Sequence, residues 1–305
     1  MTIIPPLISI IIPSYNYATT LPRAVKSVLT QIKKQHELIV IDDGSTDESL
    51  QVLNQLQSEY PETFRTIRKT NGGLSTVRNL GIKESRGQYL IFLDADDELT
   101  LDALDQFTTH LNSQPETTLV IAGHWAISPE GDQRLHLPSE ISPDPRQRLR
   151  HYLIDKRITI SNGACLMHRK IFQLGNYPEA FRSAEDIPVF AQALANFSCS
   201  VIKQPVARIY KHNDSLRHQF AYAKAGGLAL VDEVFSPQRL GEEFQVLKSE
   251  YYVKRCLSLF RSACIAGDTQ AAKDYFSMAL KRDKRTLLRG SYTRKALRLW
   301  LKGKT

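Results

Sequence analysis

The chain has 305 residues, of which 42% are hydrophobic and 24% charged, so it is long enough to bury a full core and has the composition of a globular protein. Its formal charge of +8 lies at one end, because residues 281–305 hold ten Lys or Arg and one Asp, which leaves about −1 for the rest. The charge therefore gives no reason to expect a specific nucleic-acid partner for the main part of the chain.

The cysteines and the N-terminal residues bear on the cellular compartment. The four cysteines have no CxxC spacing, which is typical of buried thiols in a reducing compartment rather than of a disulfide or a metal site. The first residues, MTIIPPLISIIIPSYN, lack the basic start of a signal peptide, and no run approaches the ~20 apolar residues of a membrane-spanning helix. We therefore expect a cytoplasmic protein, or one bound peripherally to the inner face of the cytoplasmic membrane.

Short β-rich runs alternate with segments of helical period over the first part of the chain, a pattern typical of an α/β domain with a mainly parallel sheet. The predicted strands are Leu7–Ile12, Glu37–Ile41, Thr66–Arg68, Tyr89–Leu93 and Leu119–Ala122. The predicted helices begin after Thr20, within Ser45–Glu48, and at Leu74.

The later part of the chain has a weaker pattern. Residues 128–145 are rich in Pro, Asp and Ser and are predicted to form a surface excursion, and residues 146–210 to complete the same domain with mixed structure. From about Ala221 the pattern is helical. We expect a domain of residues 1–218 followed by a helical region of residues 219–305.

Three polar clusters follow predicted strands: Pro13-Ser14-Tyr15-Asn16, Asp42-Asp43-Gly44-Ser45 and Asp94-Ala95-Asp96-Asp97. Each cluster alone is equally typical of a turn or a helix cap. Together they indicate a ligand crevice, because ligands of open α/β sheets bind beyond the carboxyl ends of the strands. Several carboxylates at such a crevice suit Mg²⁺ or Mn²⁺, which take oxygen ligands and share them with a bound diphosphate.

Four segments in this order, ISIIIPSYNYATTLPRAVKSVLTQ, ELIVIDDGSTDES, NGGLSTVRNLGIKESRGQYLIFLDADDELT and SAEDIPVFAQ, resemble glycosyltransferase family 2 over roughly residues 7–218. The resemblance implies a GT-A fold and a metal-dependent, inverting transfer of a sugar from a nucleotide-diphosphate donor. We expect a UDP-hexose donor. The expected acceptor is a glycan or lipid-linked saccharide of bacterial surface polysaccharide synthesis, such as a lipopolysaccharide or capsule precursor.

The resemblance also implies roles for residues on the donor side. Tyr15 would contact the base, and Asp43 would accept a hydrogen bond from the imide N–H of the base. The other nucleotide-binding residues would be Pro13, Asn16, Asn71, Gly72, Arg78, Asp94 and Ala95.

A divalent cation, Mn²⁺ or Mg²⁺, is the cofactor that the resemblance implies. Asp96 would be its direct ligand, Asp94 would face the ribose or the water ligands of the metal, and Asp97 would assist. His212 resembles a downstream histidine that reaches the metal or diphosphate in many relatives, but a surface histidine in a basic loop fits the same pattern.

On the acceptor side, Glu185-Asp186 is similar to the ED pair of the family. Asp186 is the expected catalytic base and Glu185 would orient the acceptor. A carboxyl pKa is ordinarily near 4, so partial burial that raises it would help a base. Without the resemblance, the pair is better explained as the acidic start of a helix.

Two other functions remain as alternatives at this point. The first is a catalytically silent subunit that binds a sugar nucleotide and assembles partners of a glycan assembly complex. The second is a sugar nucleotidyltransferase, which is disfavoured because no glycine-rich, basic loop follows the first strand.

The last segment is predicted to be a basic amphipathic helix. Leu288, Tyr292, Ala296 and Leu299 share one stripe, with Arg294, Arg298 and Lys302 on another. Such a helix suits an anionic membrane surface, and a solvated basic tail or a partner-binding helix fits as well. The sequence leaves the oligomeric state open.

Overall fold

The computed structural model describes residues 5–211 and 220–302. In these residues one nine-stranded mixed sheet is covered by helices on both faces, and further helices follow it along the chain. The α/β fold class expected from the sequence is therefore confirmed.

The elements have the following bounds. The strands are β1 (Ile8–Ser14), β2 (His36–Asp42), β3 (Arg65–Arg68), β4 (Tyr89–Phe92), β5 (Glu98–Leu99), β6 (Leu119–Ile127), β7 (Gln133–His136), β8 (Cys165–His168) and β9 (Cys199–Tyr210). The helices are α1 (Leu21–Leu29), α2 (Ser49–Glu59), α3 (Leu74–Glu84), α4 (Ala103–Ser113), α5 (Pro145–Leu153), α6 (Ile187–Asn196), α7 (Phe220–Gly226), α8 (Ala229–Val234), α9 (Lys248–Ala266), α10 (Thr269–Arg282) and α11 (Gly290–Lys302).

The strand order is β3-β2-β1-β4-β8-β6-β9-β5, and β7 pairs with the later residues of β6, beyond the part that pairs with β8. The strands from β3 to β4 are parallel, and so are β6 and β9. β8 is antiparallel to both β4 and β6, and joins the two parallel parts into one sheet.

The central strands are apolar on both faces because helices cover both faces, as expected for parallel strands. Ile10 and Ile12 of β1 pack against one layer of helices, α1, α2 and α4, while Ile11 points to the opposite core. The opposite core is formed with α3, α5, α6 and α8.

The second helix begins directly after the segment predicted for its start, with Glu48 as its N-cap residue. The sequence placed it within Ser45–Glu48, whereas α2 begins at Ser49. The Asp42 carboxylate accepts a hydrogen bond from the Ser45 amide, and the Asn16 side chain accepts from the Thr46 and Asp47 amides. Because these side chains hydrogen-bond the backbone amides of the loop, the helix begins only after the loop ends.

Several strands escaped the sequence analysis. The excursion at residues 128–145 contains β7, which forms a hairpin with β6 at the exposed edge, and β5, β8 and β9 were not predicted individually. β5 has two residues and β7 is mostly exposed, so neither has the apolar alternation that identifies a strand.

The helices after residue 219 pack in two places. Leu230, Val234 and Tyr251 belong to the core beneath the sheet, whereas the rest of α9 forms a separate core with α10 and α11 around Phe260 and Phe276. The division near residue 218 stays a prediction. In the part of the chain that the structure describes, no helix has the length and apolar character needed to span a bilayer.

Most of the apolar stripe predicted for the last helix packs inward and is not available to a membrane surface. Tyr292, Ala296 and Leu299 pack against α9 and α10, and Trp300 lies edge-on to Phe276 with ring centroids 5.7 Å apart. Leu288 alone of the stripe is exposed, because it lies in the turn before α11.

Candidate active site

The three polar clusters meet at one edge of the sheet, as the sequence analysis expected. β2, β1 and β4 are adjacent and parallel, with Ser14 in register with Asp42 and Ile11 in register with Phe92. The residues that follow these strands therefore leave the sheet side by side.

Asp43 holds the loop that contains Asn71, Gly72 and Gly73. Its carboxylate accepts hydrogen bonds from the Gly72 amide (3.0 Å), the Gly73 amide (2.7 Å) and the Lys69 ammonium (2.6 Å). Asp43 is 3% exposed, so these three donors compensate for its burial. Gly73 has φ +93°, a conformation that favours glycine, and it is the N-cap residue of α3.

The residues at the end of β1 and just after it differ in how far they are exposed to solvent. Pro13 is buried within the strand, whereas the Tyr15 side chain is exposed. Asn16 has φ 59° and its side chain accepts the Thr46 amide at 2.8 Å. Among these residues, Tyr15 has an exposed aromatic ring that a ligand could contact.

The acidic cluster after β4 has an exposed side and a buried side. The side chain of Asp94 is 40% exposed, and Asp96 is half-buried. Ala95 and Asp97 are buried. The Asp97 carboxylate accepts the Tyr210 amide at 2.8 Å, and burial together with the charges of Asp94 and Asp96 raises the pKa of Asp97 well above its ordinary value. Asp97 thus faces away from the crevice and anchors the end of β9.

Arg78 joins the acidic cluster to the predicted ED pair. It is 2% exposed, and its two terminal nitrogens donate to Asp94 (3.0 Å) and to Glu185 (2.8 Å). Its guanidinium lies 5.2 Å from the centre of the Tyr177 ring. Burial opposes the charge of Arg78, but Asp94 and Glu185 raise its pKa, so it stays a cation between two carboxylates.

Asp186 differs from its neighbour Glu185. Glu185 is paired with Arg78, whereas Asp186 is the N-cap residue of α6 and makes no side-chain capping bond. Burial of its carboxyl group, followed by the adjacent Glu185 charge, raises the pKa of Asp186 to about 7, and Arg78 partly opposes this rise. A carboxyl group with this pKa exchanges its proton near neutral pH, as a general base must.

Three basic residues at the site were missed by the sequence analysis. Lys69 pairs with Asp43, and the Arg23 side chain donates to the Asp96 carbonyl and stacks on the Tyr210 ring. Arg182 lies over the nucleotide-side loop, with its guanidinium against the position that a Gly73 side chain would fill. Lys69 and Arg182 stand close in sequence to the motifs Asn71-Gly72-Gly73 and Glu185-Asp186, which could have drawn attention to them. Arg23 lies in α1 and has no such signal.

His212 lies outside the described residues. Lys211, just before it, is exposed, and its amide donates to the Ile127 carbonyl.

The family model for glycosyl transferase family 2 matches residues 9–175, more than half of the chain. The chain belongs to this family. It is 29% identical over 229 residues to the uncharacterized glycosyltransferase EpsJ of Bacillus subtilis, an alignment that covers 72% of the chain and 65% of that relative. The chain thus spans a little less than two thirds of this relative.

Solved structures show that the fold is GT-A. TarS of S. aureus, solved in complex with UDP-GlcNAc, superposes with a TM-score of 0.64 at 16% identity, over 96% of this chain and 89% of that one. The mannosyltransferase PcManGT of Pyrobaculum calidifontis, solved with GDP-Man and Mn²⁺, gives a TM-score of 0.58 at 15% identity, over 97% and 84%.

The acidic residues at this edge of the sheet suit an open metal site rather than a closed one. Within residues 5–211 and 220–302, no three His, Cys, Asp or Glu side chains converge as a complete ligand set. Mg²⁺ and Mn²⁺ need only one or two carboxylates when phosphate oxygens supply other ligands. Asp94 and Asp96 are carboxylates of this kind, and the side chains of both are at least partly exposed to solvent.

Proposed function

We propose that the protein is a metal-dependent, inverting glycosyltransferase that moves a hexose from a UDP-sugar to a hydroxyl group of a glycan. The observation that carries this proposal is the pair of hydrogen bonds from Arg78 to two carboxylates. One buried guanidinium contacts Asp94 on the donor side and Glu185 on the acceptor side, so carboxylates with two different tasks lie on either side of it.

On the donor side, the Asp43-held loop and the exposed Tyr15 ring would receive the nucleotide. Asn71, Gly72 and Asn16 would complete the pocket through the loop backbone and its neighbours. Asp43 already accepts three hydrogen bonds, so the imide N–H of the base would take the remaining lone pair of its carboxylate. Arg78 is buried beneath Asp94 and would orient that carboxylate rather than touch the nucleotide directly.

Asp96 and Asp94 would hold Mn²⁺ or Mg²⁺, with His212 as a further candidate. When bound, the ion would neutralise the charge that develops on the leaving diphosphate. The complex of PcManGT with GDP-Man and Mn²⁺ supports a divalent ion, and that of TarS with UDP-GlcNAc supports a UDP-sugar.

On the acceptor side, Asp186 would accept the proton of the attacking hydroxyl. The hydroxyl oxygen forms a bond to the anomeric carbon from the face opposite the diphosphate while the bond to the diphosphate breaks, and this inverts the configuration. Arg78 holds the Glu185 side chain in place, so a remaining lone pair of its carboxylate could accept a hydrogen bond from a sugar hydroxyl and orient the acceptor.

We further propose that the acceptor is a lipid-linked saccharide of bacterial surface polysaccharide synthesis and that the protein is cytoplasmic, with a peripheral site on the inner membrane face. The many cations of residues 281–305 support this location.

A ligand screen followed by product analysis tests the proposal. UDP-, GDP- and dTDP-sugars are compared by thermal shift with and without Mn²⁺, and we expect the largest stabilisation from a UDP-hexose with Mn²⁺. NMR of the transferred sugar should show the opposite anomeric configuration to the donor. Donor binding without transfer or donor hydrolysis would favour the scaffold alternative, and absence of binding by every nucleotide would overturn the proposal.

A further inference from the structure

The last helix turns a second amphipathic face to solvent, opposite the one that packs inward. Residues two positions apart in a helix point about 200° apart. Arg294 and Arg298 each stand two positions from buried Ala296, so they point outward. The packing of α11 against α9 and α10 therefore decides which residues are available to a partner.

Leucines accompany these arginines on the outward side. Leu297 and Leu301 are 54% and 69% exposed, and with Arg294 and Arg298 they have the spacing of one helical face. The preceding turn exposes Leu287 and Leu288 as well. We call the set of Leu287, Leu288, Arg294, Leu297, Arg298 and Leu301 the outer face.

The outer face carries charge that the rest of the described chain does not neutralise. Arg285 pairs with Asp283 nearby, but Arg294, Lys295 and Arg298 have no ion pair among residues 5–211 and 220–302. Asp283 is the only acidic residue in 281–305. The surface thus combines exposed leucines with unpaired cations.

We propose that the outer face binds the surface of an anionic lipid bilayer, with its arginines at the headgroups and its leucines at the boundary of the acyl chains. This combination is typical of helices that lie in the membrane interface. A second copy of the chain fits less well, because a two-fold contact of this face would bring arginines together. A nucleic-acid backbone would satisfy the arginines but leave the leucines without partners.

The inference rests on the membrane location that is part of the proposed function and deepens it, but it is independent of the proposed sugar transfer, since binding to lipid requires neither donor nor acceptor. Failure of the inference is therefore distinguishable from failure of the transfer proposal. A protein that binds vesicles but no nucleotide would retain this inference alone, and a protein that transfers sugar but ignores vesicles would retain only the proposed transfer.

The test is flotation of the full chain with vesicles of phosphatidylcholine alone or with about 30 mol% phosphatidylglycerol. We expect binding to the anionic vesicles only, weakened as salt rises from about 0.1 to about 0.5 M. Leu297→Ser/Leu301→Ser and Arg294→Gln/Arg298→Gln should each lower the partition coefficient about ten-fold or more. The serine pair separates insertion of the leucines from simple charge attraction.

Leu101→Ser/Val246→Ser is the matched control, because these side chains are 85% and 67% exposed and lie outside the outer face. It should bind vesicles like the wild type, and all variants should keep the wild-type melting temperature and UDP affinity. The inference is overturned if the wild type ignores anionic vesicles, or if the leucine pair binds as well as the control. It is also overturned if the arginine pair loses DNA binding while vesicle binding stays unchanged.

Discussion

The two walls of the crevice use the same chemical group in different surroundings. On the donor wall, the Asp43 carboxylate is filled with hydrogen bonds and Asp94 reaches solvent. On the acceptor wall, Asp186 is half-buried, makes no side-chain capping bond, and has a pKa raised to about 7 by burial and by Glu185. The comparison teaches that several hydrogen-bond donors or contact with solvent suit a carboxylate for holding a ligand, whereas burial beside a second carboxylate suits it for accepting a proton.

The largest expected effect is a loss of transfer rate, and it distinguishes proton acceptance on the acceptor wall from metal and donor binding on the donor wall. Asp186→Asn should lower the transfer rate about 10³-fold, because the acceptor hydroxyl loses its proton acceptor, while donor affinity stays within about two-fold. Asp96→Asn should weaken both Mn²⁺-dependent donor binding and transfer. Transfer rates and calorimetric binding of the donor measure both quantities.

Asp132→Asn, in the exposed turn between β6 and β7, is the control for the change from carboxyl to amide. It should leave rate and affinity unchanged. If Asp186→Asn lost donor affinity as Asp96→Asn does, the division of tasks between the walls would be wrong.

The second effect concerns Arg78, which connects the walls. Arg78→Met should lower the free energy of unfolding by about 3 kcal/mol, because it leaves the Glu185 carboxylate buried without its cation. Arg78→Met/Glu185→Gln should recover part of this loss. Urea unfolding of the two single variants and the double variant measures the coupling.

A role of Arg78 beyond stability would appear in the pH profile of kcat. The wild-type rate should rise with pH through about 7, where Asp186 loses its proton. Since the charge of Arg78 lowers the pKa of Asp186, the rise should move to higher pH in Arg78→Met and less so in Arg78→Lys. An unchanged profile with lower stability would reduce Arg78 to a structural residue.

The site was more predictable from sequence than its connections were. Asp43, Asp94 and Asp96 follow apolar strands, so sequence order alone brought them to one sheet edge. The Arg78–Glu185 contact joins residues that are distant along the chain, and no periodicity reports such a pair. The orientation of α11 could not be predicted for a related reason, because its apolar stripe and the opposite face both contain leucines and only packing against α10 decides which face is buried.

The third effect is a dependence of stability on pH. The pKa of Asp186 is raised in the folded state, so the native protein binds a proton that the unfolded chain, with an aspartate pKa of about 3.9, does not bind. Between about pH 4 and 7 this contribution to stability falls as pH rises. Asp186→Asn removes the buried charge, and should therefore be more stable than the wild type by about 2 kcal/mol at pH 8 and equal to it near pH 4.

Unfolding in urea at the two pH values, without metal, measures this difference. Asp132→Asn should follow the wild type at both. Equal stability of Asp186→Asn and the wild type at pH 8 would show that burial does not raise the pKa of Asp186, and the comparison of the two walls would then be wrong.

The smallest effect tests whether Asp43 acts through the loop it holds. Asp43→Asn replaces one acceptor oxygen with an amide that faces the donors of Gly72, Gly73 and Lys69. UDP affinity should fall about ten-fold, or about 1.4 kcal/mol, while kcat at saturating donor changes less than about three-fold. Lys69→Met removes only one of the three donors and should give a smaller loss of affinity in the same direction. Calorimetry and donor titration of kcat distinguish this pattern from that of Asp186→Asn. If Asp43→Asn lowered kcat as much as Asp186→Asn does, the donor wall would also take part in proton transfer. The proposed difference between the donor wall and the acceptor wall would then be wrong.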